Sequence, residues 1–386
     1  MAANTNTLTT VIPQLLAQGL ITLRENAVMP RLVNSDYSSL AAEQGSTIDI
    51  PIAASISTNA VTPSYANPND SGITPTKVSI SLDQWREAPF FLTDKEMMEA
   101  MEGTIPMQAA EAVKALANYV DSYLLGLYIG VYNYSGVAGT TPFATDVSAI
   151  TGARKNLNNK NAPLQDRRFV FDADAEANAL GLRAFQDVSW TGDARGINEG
   201  QVVRKLGFDW FLDQNVKSHT AGTITGALIT KDSTTQAVGL ETIVTTTAVS
   251  GGAVALKEGD IIDIAGQTTS YVITDDATQA SSNTDVSLKI SPPLRVALAG
   301  SEAITRAGGN HVANLAFHRD AIAFANRPLL DSVDGLGNQI MSAQDPVSGL
   351  TLRLEVSRQH KRTRWSYDIL FGAKLVRPAL ACRVFG

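Results

Sequence analysis

Histidine is the side chain of this protein best suited to chemistry near neutral pH. The sequence contains four histidines, at His219, His311, His318 and His360. The nearest two, His311 and His318, are seven residues apart, which is not the spacing that places two metal ligands on one face of a helix. Surface positions or ordinary hydrogen bonds therefore explain the histidines better than a metal centre does.

Carboxylates form one local cluster, at Asp172, Asp174 and Glu176. Their oxygens could bind a hard cation, but the further ligands of a calcium loop are missing. Acidic side chains also favour the start of a helix, so Asp174 is predicted to cap a helix that follows. The chain lacks a GxxxxGK[ST] phosphate loop and a GxSxG nucleophile elbow. The sequence therefore predicts a protein that is not an enzyme.

Charge is distributed unevenly over the 386 residues. The chain has 31 basic and 38 acidic residues, and its net charge of −7 does not favour general binding to nucleic acid or to an acidic membrane. Residues 351–386 contain eight basic and two acidic residues, or +6, so the remainder carries −13. Solvated strand faces are the simpler explanation. A contact with DNA phosphates or with an acidic partner would use Arg358, Lys361, Arg362 and Arg364.

Cys382 is the single cysteine, so neither an internal disulfide nor a cysteine-based metal site can form. The N-terminus lacks the basic region and the long apolar run of a secretory signal. No stretch is apolar for long enough to cross a membrane as a helix. The 44% of apolar residues is typical of a globular protein, and the other three features predict an intracellular one.

Residues 41–92 have an unusual pattern. Residues 47–51 and 77–82 alternate like strands, and the segment between them is rich in proline and poor in large apolar side chains. The predicted ribbon has one narrow apolar face, formed by Ile48, Ile50, Val78, Ile80 and Leu82. A two-stranded ribbon is marginal alone in water. It must therefore lie on its own body or on another subunit.

Helical spacing occurs in three further segments. Residues 8–28 carry apolar side chains three and four positions apart. Thr93 and Glu96 fit a capping box at a helix start. Pro106 suits the first turn of a longer helix, about 25 residues in length, whose apolar stripe runs from Met107 to Val131. Such a stripe is typical of a core contact.

A split motif is the strongest signal in the chain. Residues 200–216 read GQVVRKLGFDWFLDQNV, which predicts a short helix leading into a strand. Residues 314–326 read NLAFHRDAIAFAN, which predicts a strand leading into a helix. About ninety residues separate them, with strand candidates at 239–247, 261–264, 271–274 and 286–290. This pattern predicts a small β-barrel or sandwich inserted into a host fold.

These segments, in this order, resemble the major capsid (coat) proteins of tailed bacteriophages. The two flanking pieces resemble consecutive elements of that fold, and residues 369–378 resemble its final strands. LKEGDIIDIAGQ (256–267) and VSLKISPPLRVAL (286–298) resemble strands of the domain inserted in short-tailed-phage coat proteins. The resemblance implies an α+β fold with an N-terminal arm (1–40), an extended loop (41–92), a spine helix and peripheral domain (93–135), an axial domain in two parts (136–218 and 309–345), an inserted β domain (219–308) and C-terminal peripheral strands (346–386).

The resemblance implies a structural virion protein that assembles through hexamers and pentamers into an icosahedral shell around double-stranded DNA. It also implies assembly in the host cytoplasm, with a scaffolding protein and a portal as partners, without a cofactor and without membrane contact. The apolar face of the extended loop is then predicted to contact a neighbouring subunit. Some coat proteins of this fold form Lys–Asn cross-links, and Lys77 lies in the loop. That chemistry needs a desolvated, neutral amine beside a carboxylate.

Two other functions stay open at this point. An encapsulin-like cellular nanocompartment shell would share the fold, and a cargo enzyme encoded beside the chain would favour it. A β-rich adhesin or carbohydrate-binding protein would use the insert as its active part. Glycan binding by the isolated insert would favour that second function.

Overall fold

The structure is a computed structural model. It describes residues 15–17, 19, 21, 27–37, 47–53, 56, 58, 63, 75–99, 104–186, 204–231, 236–247, 253–279, 285–329, 338–344 and 349–386. Most of the helix predicted for residues 8–28, the middle of the extended loop and residues 200–203 of the split motif lie outside the described residues.

The chain divides into two compact units, and each unit is assembled from three separate segments. The first unit comprises Met1–Ile21, Ser35–Leu116 and Ala323–Val376. The second unit comprises Thr22–Asn34, Ala117–Ile322 and Arg377–Gly386. The predicted insert therefore lies entirely within the second unit.

The helices with described bounds are α1 (Asp94–Glu99), α2 (Thr104–Gly126), α3 (Ser148–Asn159), α4 (Ala173–Gly181) and α5 (Arg183–Gln186). The predicted capping box begins α1. The Thr93 backbone N–H donates to Glu96 Oε2 at 2.8 Å, and the Glu96 N–H donates to Thr93 Oγ1 at 3.3 Å. The long predicted helix is α2, which has 23 residues. Its apolar stripe is a core contact at Val113, Val120 and Leu124, which are fully buried, but Met107 at its start is 69% exposed.

The strands in the described residues are, in chain order, β1 (Thr47–Ile52), β2 (Thr76–Ser81), β3 (Gln84–Thr93), β4 (Tyr134–Ser135), β5 (Arg167–Phe171), β6 (Asp209–Leu212), β7 (Ser218–His219), β8 (Thr223–Thr225), β9 (Leu228–Thr230), β10 (Thr242–Thr247), β11 (Ala253–Leu256), β12 (Ile261–Ile264), β13 (Tyr271–Ile273), β14 (Ala277–Gln279), β15 (Val286–Ser291), β16 (Ala303–Arg306), β17 (His311–His318), β18 (Ile322–Asn326), β19 (Asn338–Gln344), β20 (Thr351–Gln359), β21 (Arg362–Leu375) and β22 (Ala381–Phe385).

The first unit contains a ribbon and a larger antiparallel sheet. In the ribbon, β1 pairs with β2 so that Ile48 faces Ile80 and Ile50 faces Val78. The larger sheet has the order β18-β21-β20-β19, and β3 pairs with β21 along its ten residues. The strands β20 and β21 form the predicted C-terminal hairpin. Lys361 in its turn has a φ of 53°, a left-handed conformation that such tight turns require.

The host sheet of the second unit has the order β4-β22-β17-β5-β6, and the short strand β7 pairs with the start of β17. The pairs β4–β22 and β5–β6 are parallel, whereas β17 is antiparallel to both of its sheet neighbours. Beside β5 and β6, Trp210 packs against four rings at centroid distances of 4.8 to 5.4 Å, those of Phe143, Phe169, Phe171 and Phe185. This aromatic cluster stabilises the end of the sheet that holds the parallel pair β5–β6.

The insert is a closed six-stranded barrel with the order β10-β15-β13-β12-β16-β9. A three-stranded sheet, β14-β11-β8, accompanies it. In β15 the side chains alternate, with Val286, Leu288 and Ile290 buried and Ser287 and Lys289 exposed. This period of two directs one set of residues into the barrel core. The inserted small β-barrel expected from the sequence is therefore confirmed as part of the fold, while its boundaries at 219 and 308 stay a prediction.

The structure corrects two parts of the split motif. The described residues before β6 form a tight turn rather than a helix, since Leu206 and Gly207 have φ of 54° and 86°. After β17, a 3-10 turn at Arg319–Ala321 leads into strand β18, where a helix was predicted. All five residues of β18 are buried. A short apolar run such as IAFAN does not distinguish a buried strand from a helix by its periodicity.

Candidate self-assembly surface

The apolar face of the β1–β2 ribbon lies against residues of its own unit. Ile48, Ile50 and Ile80 are 0 to 3% exposed, Leu82 is 8% exposed and Val78 is partly buried. They pack with Ala323, Ala325 and Val376. The chain itself thus supplies the layer that the ribbon needs. A neighbouring subunit is not required to bury these five residues, and their contact with one stays a prediction.

Gly372 of β21 allows this close approach. A Cβ added to Gly372 would lie 2.1 Å from the Ser81 carbonyl oxygen, well inside van der Waals contact. The Lys374 ammonium also donates to the Ser79 carbonyl oxygen at 3.2 Å. The ribbon is therefore held on β21 by a backbone approach as well as by its isoleucines.

The opposite face of the ribbon is polar. Lys77 Nζ lies 2.7 Å from Asp49 Oδ2, and the Ser79 hydroxyl donates to Asp49 Oδ1 at 2.5 Å. Both hydrogen bonds lower the pKa of Asp49, and the bond from Lys77 has the larger effect. The Lys77 side chain is 69% exposed. A solvated ion pair is the opposite of the desolvated, neutral amine that a Lys77 cross-link would need.

Two of the four predicted basic residues form ion pairs within their own unit. Arg358 lies 2.6 Å from Asp94, and Arg364 donates to both carboxylate oxygens of Glu87 at 2.9 Å. Lys361 is exposed at the tip of the β20–β21 hairpin. Because α1 and β3 already neutralise Arg358 and Arg364, the basic C-terminal segment is less available to phosphates than its charge count suggests. A contact of these residues with DNA or with another subunit stays a prediction.

Four exposed large apolar side chains lie on β3, α1 and the start of α2. The exposed fractions are 62% for Trp85, 55% for Phe91, 90% for Met98 and 69% for Met107. We call these four residues the apolar strip. The guanidinium of Arg362 lies over the Phe91 ring, 5.1 Å from the ring centroid. Aromatic and methionine side chains are enriched at protein–protein interfaces, so the apolar strip is a candidate contact between subunits.

The strand β3 forms an edge of its sheet: among the described strands, β21 alone pairs with it. Pro89 lies within β3 and has no N–H to donate, and Arg86 and Glu87 add charges. Proline and charge both discourage the addition of a further strand. A partner at this edge is therefore expected to contact side chains rather than to extend the sheet.

The acidic cluster occupies the start of α4. Asp172, rather than Asp174, is at the N-cap position, while Asp174 and Glu176 lie in the first turn. Within the described residues, no three histidine, cysteine or acidic side chains are grouped as a metal site. Burial raises the pKa of the Cys382 thiol to about 12, which makes it a poor nucleophile. Among the helices that the structure describes, none combines the length and apolarity needed to cross a membrane.

A buried polar cluster joins the insert to the host sheet in the second unit. We call it the neck cluster, and it consists of Tyr128, His219, Asp260, His311 and Arg383, which are 0 to 7% exposed. Pattern reasoning missed it because its residues belong to five different segments. One signal was available: His219 is the first residue of the predicted insert and His311 follows its end, so they become neighbours wherever the two connecting strands pair.

Geometry within the neck cluster is specific. His219 Nε2 lies 3.0 Å from Asp260 Oδ1, and His219 Nδ1 lies 3.1 Å from the Tyr128 hydroxyl. The Arg383 guanidinium donates to the carbonyl oxygens of Gly259, at 2.7 Å, and Ile129, at 2.9 Å. Burial lowers the pKa of Arg383 to about 9, so the guanidinium stays charged at neutral pH.

Comparisons with known proteins find the fold but no relative in sequence. Neither a family model nor a curated protein matches the chain. A structure from Mycobacterium phage Che8 is 16% identical and has a TM-score of 0.52, with 92% of this chain and 90% of that chain covered. The capsid structure of cyanophage P-SCSP1u is 12% identical, covers 92% and 86%, and has a TM-score of 0.49. The mature capsid of bacteriophage PhiM1 is 10% identical, covers 89% and 83%, and has a TM-score of 0.48.

The likeness to the Che8 phage structure extends over nearly the whole of both chains. At this identity it shows the fold alone. The fold class expected from the sequence, the α+β fold of tailed-phage capsid proteins with an inserted barrel, is confirmed.

Proposed function

We propose that this chain is the major capsid protein of a tailed bacteriophage and that copies of it build the icosahedral shell around the genome. The observation that carries the proposal is the fold, which is shared along about nine tenths of the chain. A fold that hosts other functions would need a site with its own chemistry. The clustered side chains of the described residues instead form buried structural contacts.

The apolar strip supports self-association and indicates where one contact lies. Many weak contacts between identical subunits add up to a stable particle, and a closed shell needs the same surface to meet slightly different neighbours. Exposed Trp85, Phe91, Met98 and Met107 suit such contacts, because aromatic and methionine side chains contribute area without charge. A scaffolding protein, a portal and packaged double-stranded DNA are the partners that this proposal implies, with assembly in the host cytoplasm.

Electron microscopy of the purified chain, alone and with a candidate scaffolding protein, tests the proposal. We expect closed, uniform particles, and particles isolated from infected cells should hold nuclease-resistant DNA. A chain that stays monomeric under all of these conditions would overturn the shell function. Closed particles filled with a cargo enzyme instead of DNA would identify a nanocompartment shell.

Substitutions locate the contact. We expect the double variant Trp85→Gln and Met98→Gln to keep the circular dichroism spectrum and melting temperature of the wild type but to lose most of its particles. Glutamine at position 85 keeps a donor for Asp368, which accepts a hydrogen bond from Trp85 Nε1 at 3.2 Å. Leu164→Gln is the matched control, because Leu164 is 63% exposed and lies in the other unit. Normal particles from the double variant would move the contact elsewhere on the subunit.

A further inference from the structure

The neck cluster occupies the place where the insert leaves its host. Tyr128 and Arg383 belong to the host, and Asp260 belongs to the turn between β11 and β12 of the insert. His219 and His311 lie on the connecting strands β7 and β17, which pair at these two residues. Their rings are 5.1 Å apart. The polar contact between insert and host is thus made largely of groups that can gain or lose a proton.

Asp260 is the acceptor at the centre of the cluster. It accepts hydrogen bonds from His219 Nε2 at 3.0 Å, from the Lys257 N–H at 2.8 Å and from the Gly222 N–H at 3.0 Å. Burial opposes the charge of this carboxylate, but the bonds from His219, Lys257 and Gly222 outweigh burial and lower the pKa of Asp260. Protonation of Asp260 would weaken all three bonds, of which those from His219 and Gly222 join this turn to the connecting segment.

His311 is buried with only one of its two ring nitrogens bonded. Nδ1 lies 2.9 Å from the Gly309 carbonyl oxygen and so carries the proton, whereas Nε2 has no hydrogen-bond partner among the described residues. The ring packs on Phe385 at a centroid distance of 4.1 Å. A second proton on Nε2 would have no acceptor and would lie in the field of the Arg383 guanidinium.

The charges that face His311 come from every element around it. Arg383 on β22 and His219 on β7 oppose a proton on His311, and Asp260 in the insert favours one. Tyr128 is hydrogen-bonded to His219, and Glu258 lies near Tyr128. The pKa of His311 is lowered to about 4, mainly because the ring is buried and further because the Arg383 charge opposes a second proton.

We propose that the neck cluster is an acid-sensitive latch, which holds the insert against the host at neutral pH and releases it on acidification before the barrel or the host sheet unfolds. The inference concerns the chain itself and holds whether or not the chain forms a shell.

His311 and Asp260 both make the closed state less stable as the pH falls. The pKa of His311 is lower in the closed state than its ordinary value of 6.5, so the open state binds more protons. The stability that neutral His311 gives is complete above pH 6.5 and is lost as the pH falls towards about 4. The pKa of Asp260 is also lowered, so the stability that its carboxylate gives to the closed state is lost as the pH falls through this lowered pKa.

The balance of apolar contacts explains why the neck opens first. Four buried apolar residues form the cluster beside the neck, namely Tyr132, Ile261, Val272 and Phe385. Fifteen buried residues form the core cluster of the insert. Separating the insert from the host therefore exposes far less apolar surface than opening the barrel does. Since the free energy of burial scales with apolar area, separation costs less.

Hydrogen exchange of the full-length chain from pH 7.5 to 4.5, corrected for the intrinsic exchange rate, tests the latch. We expect protection at residues 127–132, 218–222, 257–262 and 381–385 to fall below pH 6.5 by up to about tenfold per pH unit, the limit for one titrating histidine, while β15 and β5 stay protected. Loss of protection in β15 together with the neck, or no change at the neck, would overturn the proposal.

His311→Phe keeps a ring in place and removes the titrating group, so its neck should stay protected to a lower pH than that of the wild type. His318→Phe is the matched control, because His318 is 6% exposed, lies on the same strand and is at the end remote from the insert. An unshifted midpoint in His311→Phe, or an equal shift in both variants, would contradict the latch. If His311→Phe does not fold, the His311 ring resonance of the wild type decides the question, since a pKa near 6.5 overturns the proposal and one near 4 supports it.

Discussion

Two excursions leave the body of this chain, and different physics holds each of them in place. The β1–β2 ribbon rests on Ala323, Ala325 and Val376 through isoleucine side chains. The insert meets its host through histidine, aspartate, tyrosine and arginine side chains that are all buried. Apolar contacts depend on area and do not titrate, whereas buried hydrogen-bonded charges require one orientation and respond to pH. Apolar burial is thus the main contact of the ribbon, whereas the contact of the insert combines buried polar groups with a small apolar cluster.

Arg383 gives the largest expected effect. Arg383→Ala removes both hydrogen bonds to the insert–host junction and leaves a cavity, so we expect the free energy of unfolding to fall by about 3–5 kcal/mol. Arg383→Met keeps most of the volume and removes a buried charge, so its loss should be about half as large. Urea denaturation of both variants measures the difference. Equal losses would show that the lost hydrogen bonds account for the whole effect, and an unchanged stability of Arg383→Met would show that volume, and not hydrogen bonding, holds the neck.

Ile80 should give a smaller effect that does not depend on pH. Its side chain is fully buried in the ribbon contact, so Ile80→Ala should lower the free energy of unfolding by about 2–4 kcal/mol and Ile80→Val by about 1 kcal/mol. Both losses should be the same at pH 7.5 and pH 5.5, because no titrating group is involved. A loss that appears only in assembled particles would mean that another subunit, rather than the chain itself, covers the ribbon.

Asp49 should give the smallest effect. It lies on the exposed face of the ribbon and pairs with the exposed Lys77. Exposed ion pairs contribute little, so Asp49→Asn should leave the urea midpoint of the isolated subunit unchanged within error. A clear drop would show that the polar face of the ribbon is covered as well, and the contrast between the two faces would be wrong.

Local patterns were enough to predict much of the secondary structure. The alternation in β1 and β2, the composition of β15, the Thr93–Glu96 capping box and the stripe of α2 each depend on residues a few positions apart, and the structure confirms these elements. The prediction for β18 is wrong because its short apolar run has no diagnostic period, and the pairing with β21 decides its conformation. The ribbon's apolar face was also visible in the sequence, but its covering layer was not.

What the sequence by itself determined is therefore many of the elements, their order and the presence of a β-rich insert. The tertiary structure alone decided which surfaces meet. His219 and Asp260 are 41 positions apart, and Arg383 and Gly259 are 124 positions apart. Periodicity and capping act over a few residues, whereas contacts at such separations depend on the closing of whole segments around a shared core. The neck cluster and the partner of the ribbon exist only once that closing is complete.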